Sequence, residues 1–197
     1  MEEAVIEKAA PAVDYGQIVQ KQRDYFWSGA TKSLKFRKEQ LRKLKAAFSK
    51  HERSLYDALK SDLNKHEQES MLSEIDVTVS EIEHILGNLE DWMQAERVAT
   101  PLIMQPGSSK IISEPYGVTL IIAPWNYPVK NLFGPLLGAI CAGNTAVVKP
   151  SEISPACSKA ITEMLADTFA PEYIVSIEGG VPETTELPHS GYTRIGR

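Results

Sequence analysis

GVTLIIAPWNYPV, Gly117 to Val129, sets an unbroken apolar run against a Trp-Asn-Tyr fenced by two prolines. Six residues, Val118 to Ala123, lack the polar alternation of a half-exposed strand, so they read as a strand buried on both faces. Proline carries no N–H and fixes its own φ; Pro124 and Pro128 therefore stop the strand and hold the residues between them. The Asn126 amide cannot join a ladder there. It either caps the helix that follows or is presented to a ligand.

Downstream the pattern repeats. Val129 to Cys141 is a helix-length segment with Leu132, Leu136, Leu137 and Ile140, stopped by Ala142-Gly143-Asn144. Thr145 to Lys149 reads as a second buried strand, closed by Pro150. Ser154-Pro155 starts a helix with proline at its first position, carrying Ile161, Met164, Leu165 and Phe169. Tyr173 to Ile177 is a third strand, ending near Gly179-Gly180. Strand, helix, strand, helix, strand predicts an α/β fold: a Rossmann-like, doubly wound parallel sheet over residues 118–187, incomplete at three strands.

Upstream, residues 1–100 form a helical region. Asp14 is placed to cap a first helix through Ile18, Val19, Tyr25 and Phe26 to about Gly29. A second begins near Ser33 and carries Leu41, Leu44, Phe48, Leu55, Leu59 and Leu63. A third bears the stripe Ile75, Val79, Ile82, Leu86, Leu89, Met93; its acidic residues, Glu74, Glu81, Glu83, Glu90 and Asp91, are expected to face solvent. Between the halves, Leu102 to Met104 and Ile111-Ile112 flank Pro106-Gly-Ser-Ser109, predicting a β-hairpin arm over 101–117. A lone two-stranded ribbon is marginal in water, so the arm should dock on its own domain or on another subunit.

Composition narrows the function. The chain has 197 residues, 43% hydrophobic and 24% charged, with net charge −5. That balance suits a soluble globular protein, and no basic run marks a nucleic-acid or anionic-membrane partner. No apolar run reaches the length of a membrane span. The amino terminus is acidic without an apolar segment, so it is not read as a secretory signal. Cys141 and Cys157 supply neither a disulfide framework nor a metal quartet. A cytoplasmic, reducing setting is expected, with no metal.

In such a sheet, ligands lie beyond the carboxyl ends of the strands. Pro124-Trp125-Asn126 follows the first strand and Lys149-Pro150-Ser151-Glu152 the second. Together they offer an amide, an ammonium, a hydroxyl and a carboxylate at one rim. A fixed amide N–H suits a developing oxyanion, and the charged pair suits ribose hydroxyls; an ordinary surface pair is the plainer alternative. Cys141 is read as packing. Cys157, in the first turn of its helix where the dipole favours thiolate, is not read as a nucleophile either. Glu178-Gly179-Gly180 is read as a turn, and His51, His66, His84 and His189 have no ligand spacing.

Two stretches carry a resemblance. Glu114-Pro-Tyr-Gly-Val-Thr-Leu-Ile-Ile-Ala-Pro-Trp-Asn-Tyr-Pro128 and Gly143-Asn-Thr-Ala-Val-Val-Lys-Pro-Ser-Glu152 resemble signature stretches of the aldehyde dehydrogenase superfamily. The early helices, and Ile177-Glu-Gly-Gly180 followed by Glu183-Thr-Thr-Glu186, are most similar to its class 3, fatty or aromatic aldehyde branch. The resemblance implies that Asn126 helps stabilise the thiohemiacetal oxyanion. It implies that Lys149 and Glu152 hold the adenosine ribose of NAD or NADP, and that Ile122, Pro124 and Trp125 line the cofactor cleft. The hairpin around Gly107 would help build a homodimer. In the family a cysteine thiolate attacks the aldehyde, hydride passes to the nicotinamide, and a glutamate activates the water that releases the acid.

The resemblance runs to about Leu187. The nucleophilic cysteine, the general-base glutamate and the phosphate turn belong beyond the third strand. Residues 188–197, Pro-His-Ser-Gly-Tyr-Thr-Arg-Ile-Gly-Arg, instead read as an aberrant tail. Pro188 should break a helix there, and no strand is expected to follow. The expectation is thus a truncated NAD(P)-dependent aldehyde dehydrogenase, inactive alone. The alternatives are a non-catalytic nucleotide-binding or subunit-pairing fragment, or an incomplete domain that associates through an open strand edge.

Overall fold

The computed structural model describes residues 14–187 and 193–194. The first two helices each start where a short polar side chain meets a free backbone N–H. Helix α1 (Tyr15–Trp27) begins at Asp14, whose carboxylate accepts from Gln17 N at 3.1 Å. Helix α2 (Leu34–Leu63) begins at Ser33, whose hydroxyl accepts from Phe36 N at 3.2 Å. It ends at Asn64 in the left-handed conformation, φ 53°. A short helix α3 (Glu67–Ser70), a π-helical turn (Met71–Ile75) and helix α4 (Asp76–Trp92) follow without a break.

The sheet runs through β3 (Val118–Ile122), α5 (Pro128–Ala142), β4 (Thr145–Lys149), α6 (Pro155–Thr168), β5 (Ile174–Ser176) and α7 (Val181–Glu186). Strands β3 and β4 pair in parallel from Val118 opposite Thr145 to Ile122 opposite Lys149. Strands β4 and β5 pair from Ala146 opposite Ile174 to Val148 opposite Ser176. All of β4 and the first four residues of β3 are buried, as their unbroken apolar runs required. Ile121, Ala146, Val148 and Ile174 face a layer in which α2 and α4 pack against α5 and α6. Leu120, Val147 and Ile177 face the other way, covered by Leu187 and by Tyr15 and Ile18 of α1. Helices therefore lie on both faces of the sheet.

Three expectations change. The antiparallel ribbon exists, but its first strand is β1 (Glu96–Val98), paired with β2 (Ser109–Ile111), not Leu102–Met104. Leu102–Met104 is a 3₁₀ turn inside the connecting loop. Successive turn bonds explain it: Met104 N to Pro101 O, Gln105 N to Leu102 O and Gly107 N to Met104 O. Those bonds use the groups a ladder would need, and Pro101 and Pro106 have no N–H to offer. Second, a strand does follow Pro188: β6 (Thr193–Arg194) pairs in parallel with β3, Thr119 opposite Thr193 and Leu120 opposite Arg194. Backbone pairing needs no apolar run, so nothing in Thr-Arg announced it. The remainder of the 188–197 segment lies outside the described residues. The third correction is Glu74, which is fully buried rather than solvent-facing.

The sheet order is β5-β4-β3-β6. The chain winds outward from β3 through β4 to β5, then returns to the other side of β3. That reversal makes the carboxyl end of β3 the topological switch point, where open α/β sheets leave a crevice. Among the described residues no helix is long and apolar enough to cross a membrane.

Candidate functional site

The rim is built from the ends of β3 and β4. Ladder bonding continues one residue past β3, Ala123 N donating to Lys149 O at 3.0 Å. Pro124 then ends it, and Pro124, Trp125, Asn126 and Tyr127 are all exposed. Ile122, at the strand's last position, is exposed as well, although its four predecessors are buried. An apolar residue and an indole thus lie open at the switch point, a wall suited to a flat ring.

Across from Ile122, Lys149 closes β4 with its side chain 1% exposed. Its ammonium donates to Pro150 O at 3.1 Å and to a Glu152 carboxylate oxygen at 2.8 Å. The third ammonium proton has no hydrogen-bond partner among the described residues. Glu152 is the open member of the pair, and the Lys149 hydrogen bond holds its carboxyl below the ordinary value of 4.5. The pair presents a carboxylate backed by a buried cation. With Lys149 buried, Glu152 is the member of the pair that lies open at the rim.

Asn126 is not the cap of the helix that follows. Tyr127 occupies that position and makes no side-chain cap bond. The Asn126 Oδ1 instead accepts from Asn131 Nδ2 at 3.2 Å, and its NH₂ has no hydrogen-bond partner among the described residues. Capping of α5 comes from far away in sequence. Glu74 accepts from Val129 N at 2.9 Å and Lys130 N at 3.3 Å through one carboxylate oxygen. Its other oxygen takes a short hydrogen bond from Lys65 Nζ. Lys65 also reaches Asn126 O at 3.4 Å and lies 3.9 Å from the centre of the Tyr127 ring.

Helix α6 is capped the same way. Ser154 makes no side-chain cap bond, and Asp62, from the end of α2, accepts from Ala156 N at 3.2 Å and Cys157 N at 2.8 Å. Free helix N-termini behind parallel strands are ready anion sites. Here both are filled by the protein's own carboxylates, so neither is open to a phosphate. What the rim offers is an open carboxylate and an exposed apolar wall.

Asp62 also settles the cysteine. Burial, and then the hydrogen bond and charge of Asp62, push the Cys157 thiol far up, overriding the helix dipole that would favour thiolate. Burial pushes Cys141 up too, against the neighbouring Arg37. A cavity of about 310 Å³ beside Arg37, Trp92, Met93 and Cys141 lies at the opposite end of β3, where α5 finishes, away from the strand-end chemistry. Among the described residues no three His, Cys, Asp or Glu side chains gather as a metal site. His51 pairs with Asp167 at 3.0 Å and His66 caps α3; His189 lies outside the described residues.

Sequence reasoning missed Lys65, Glu74, Asp62 and Asn131. A signal existed for Glu74, which heads the buried row Thr78, Ile82, Ile85, Leu89 at spacings of four, four, three and four. A carboxylate in phase with a core stripe is a buried carboxylate. Lys65 and Asp62 gave no comparable sign.

The comparisons agree with this architecture. The aldehyde dehydrogenase family profile matches residues 3–186. The 4,4'-diaponeurosporen-aldehyde dehydrogenase of Staphylococcus aureus is 44% identical over 165 residues, covering 84% of this chain and 36% of that protein. Aldehyde dehydrogenase family 3 member H1 of Arabidopsis thaliana is 36% identical, covering 96% and 41%. The substrate-bound structure of Staphylococcus aureus AldH superposes with a TM-score of 0.87 at 42% identity, over 90% of this chain and 39% of that one. An NAD⁺ complex of a betaine aldehyde dehydrogenase from the same organism gives 0.76 at 26%, over 88% and 35%. The chain spans about two fifths of the length of the relatives it matches. With the profile matched over nearly its whole length, this chain belongs to the aldehyde dehydrogenase family, whose members are oxidoreductases acting on aldehydes.

Proposed function

We propose that this chain supplies the oxyanion donor and the ribose-binding side of an NAD(P)-dependent, aldehyde-oxidising site, and that it does not oxidise aldehydes alone. The observation that carries the reading is one juxtaposition. Ile122, Pro124, Trp125 and Asn126 leave the end of β3 beside Lys149 and Glu152 at the end of β4, at the point where the strand order reverses. Glu152 would accept from the adenosine ribose hydroxyls, with Lys149 neutralising it from below, while Ile122, Pro124 and Trp125 would line the cofactor cleft. The nicotinamide supplies the hydride acceptor when bound. Asn126 would donate its outward amide N–H to the oxygen that gains charge as a thiolate adds to the aldehyde carbonyl. That thiolate, and the base that activates water, would have to come from residues outside this chain. The raised Cys157 and Cys141 thiols are poor substitutes.

Isothermal titration of the chain with NAD and NADP tests the binding half. Weak saturable binding is expected, weakened at least tenfold, or about 1.4 kcal/mol, in Glu152→Ala. Heats indistinguishable from buffer would falsify it. For the chemical half, Asn126→Ala at the corresponding position of a complete relative should lower kcat by about 10²-fold. NADH production from benzaldehyde or hexanal by this chain alone would overturn the claim of inactivity.

A further inference from the structure

We infer that Asn131, Lys65 and Glu74 are positioning residues that set the Asn126 amide with its NH₂ outward, an inference that rests on the oxyanion reading of Asn126. An amide side chain has two unlike ends, and half a turn of its last torsion exchanges donor for acceptor. A donor aimed at the oxygen decides between them. Asn131 Nδ2, one turn into α5, donates to Asn126 Oδ1 at 3.2 Å.

The backbone beneath is held from the opposite side. Lys65 Nζ donates to Asn126 O at 3.4 Å and lies against the Tyr127 ring face. Its charge is matched by the fully buried Glu74, which also holds Val129 N and Lys130 N. One carboxylate thus ties the carbonyl before the helix to the amides that start it. Pro124 and Pro128 restrict the segment at both ends. With the main chain pinned by Lys65 and Glu74, the one freedom left at Asn126 is its side chain, and Asn131 removes it.

The test is side-chain NMR on the uniformly ¹⁵N,¹³C-labelled 197-residue chain. The Asn126 NH₂ signal is assigned by its loss in Asn126→Asp. In the unaltered chain its couplings should report one χ1 rotamer, with an order parameter of rigid type. Asn131→Ala should average those couplings and drop the order parameter below about 0.6, while the urea midpoint barely moves. Asn131→Gln, which keeps an amide donor, should restore part of the order. Lys65→Met should loosen the Asn126 main-chain amide as well as its side chain. Leu137→Ala, a buried core change that costs more stability, should leave the Asn126 signal ordered; this separates positioning from general loosening. Unchanged Asn126 order in Asn131→Ala, or equal loss in Leu137→Ala, overturns the proposal. The kcat of Asn126→Ala in a complete relative separately decides what the amide is for.

Discussion

At the scale of single residues, charge placement explains which side chains are available for chemistry. Glu152 is ionised more readily than a free glutamate because its main hydrogen bond comes from a buried ammonium. Its folded pKa is depressed, so whatever stability the pair lends is present above the unfolded value. It is lost as pH falls through the folded one, below the ordinary 4.5. A ¹³C titration of the Glu152 carboxyl should show a midpoint under 4.5 that Lys149→Met moves back up. A midpoint unaffected by Lys149→Met would remove the pair. Cys157 is the opposite case: its neighbour is an anion. Asp62→Asn removes that charge while keeping a shape that can still accept one N–H, so the thiol pKa should fall. Reaction with a disulfide reagent at pH 8 should then run about tenfold faster than in the unaltered chain, by the thiolate fraction. An equal rate would mean that access, not ionisation, limits this thiol. That Asn126 stands outside the ladder was legible from its two flanking prolines; the residues that contact it were not. Lys65 reaches Asn126 across 61 positions and Asp62 reaches Cys157 across 95, and no local pattern encodes such a pair.

At the scale of elements, local rules explain starts and stops, and long-range contacts explain the exceptions. Asp14 caps its own helix and was readable as a cap; Ser33, readable only as the start of the second helix, caps that one. Helices α5 and α6 carry proline in the first turn but borrow their caps from Glu74 and Asp62, which makes the helical region part of the sheet's construction. Helix α5 ends at Gly143, φ 88°, where a Cβ would come within 2.5–2.8 Å of the Arg37 guanidinium. Arg37 is itself committed to Thr31 O and Cys141 O. Gly143→Ala should therefore cost about 1–3 kcal/mol, for the left-handed backbone and the crowding together. Glu74→Ala should cost more, about 3–5 kcal/mol, because it strands a buried ammonium. Lys65→Met combined with Glu74→Leu should cost distinctly less than Glu74→Ala alone, leaving mainly an uncapped helix at about 1 kcal/mol. Urea denaturation of the three variants checks the order; a double variant as damaged as Glu74→Ala would show that the charges are not the issue. Strand β1 escaped notice because Glu-Arg-Val, exposed at all three positions, has no alternation to read.

At the scale of the whole molecule, alternating buried strands and helices were enough to foresee a doubly wound sheet, since each strand needs helices on both faces. What the alternation could not give was β6 and the switch point it creates, for a two-residue pairing has no hydrophobic signature. Among the described residues two kinds of surface keep apolar or hydrogen-bonding capacity unspent. The loop joining β1 to β2 holds Leu102 and Ile103 more than nine-tenths exposed, with Met104 beside them. Strands β5 and β6 end the sheet order, and neither has a second neighbour among the described residues. The two predict different association. An apolar loop tip that docks on another copy by a twofold contact closes after one partner, in keeping with the homodimer proposed from the family resemblance. A free parallel edge recruits without limit. Light scattering behind size exclusion distinguishes them: the unaltered chain should run as a dimer, and Leu102→Ser with Ile103→Ser and Met104→Gln should return it to a monomer with the same circular dichroism. An open-ended size distribution that survives the triple change would assign association to the sheet edges. A monomer before and after the change would show that neither surface is used between copies of this chain.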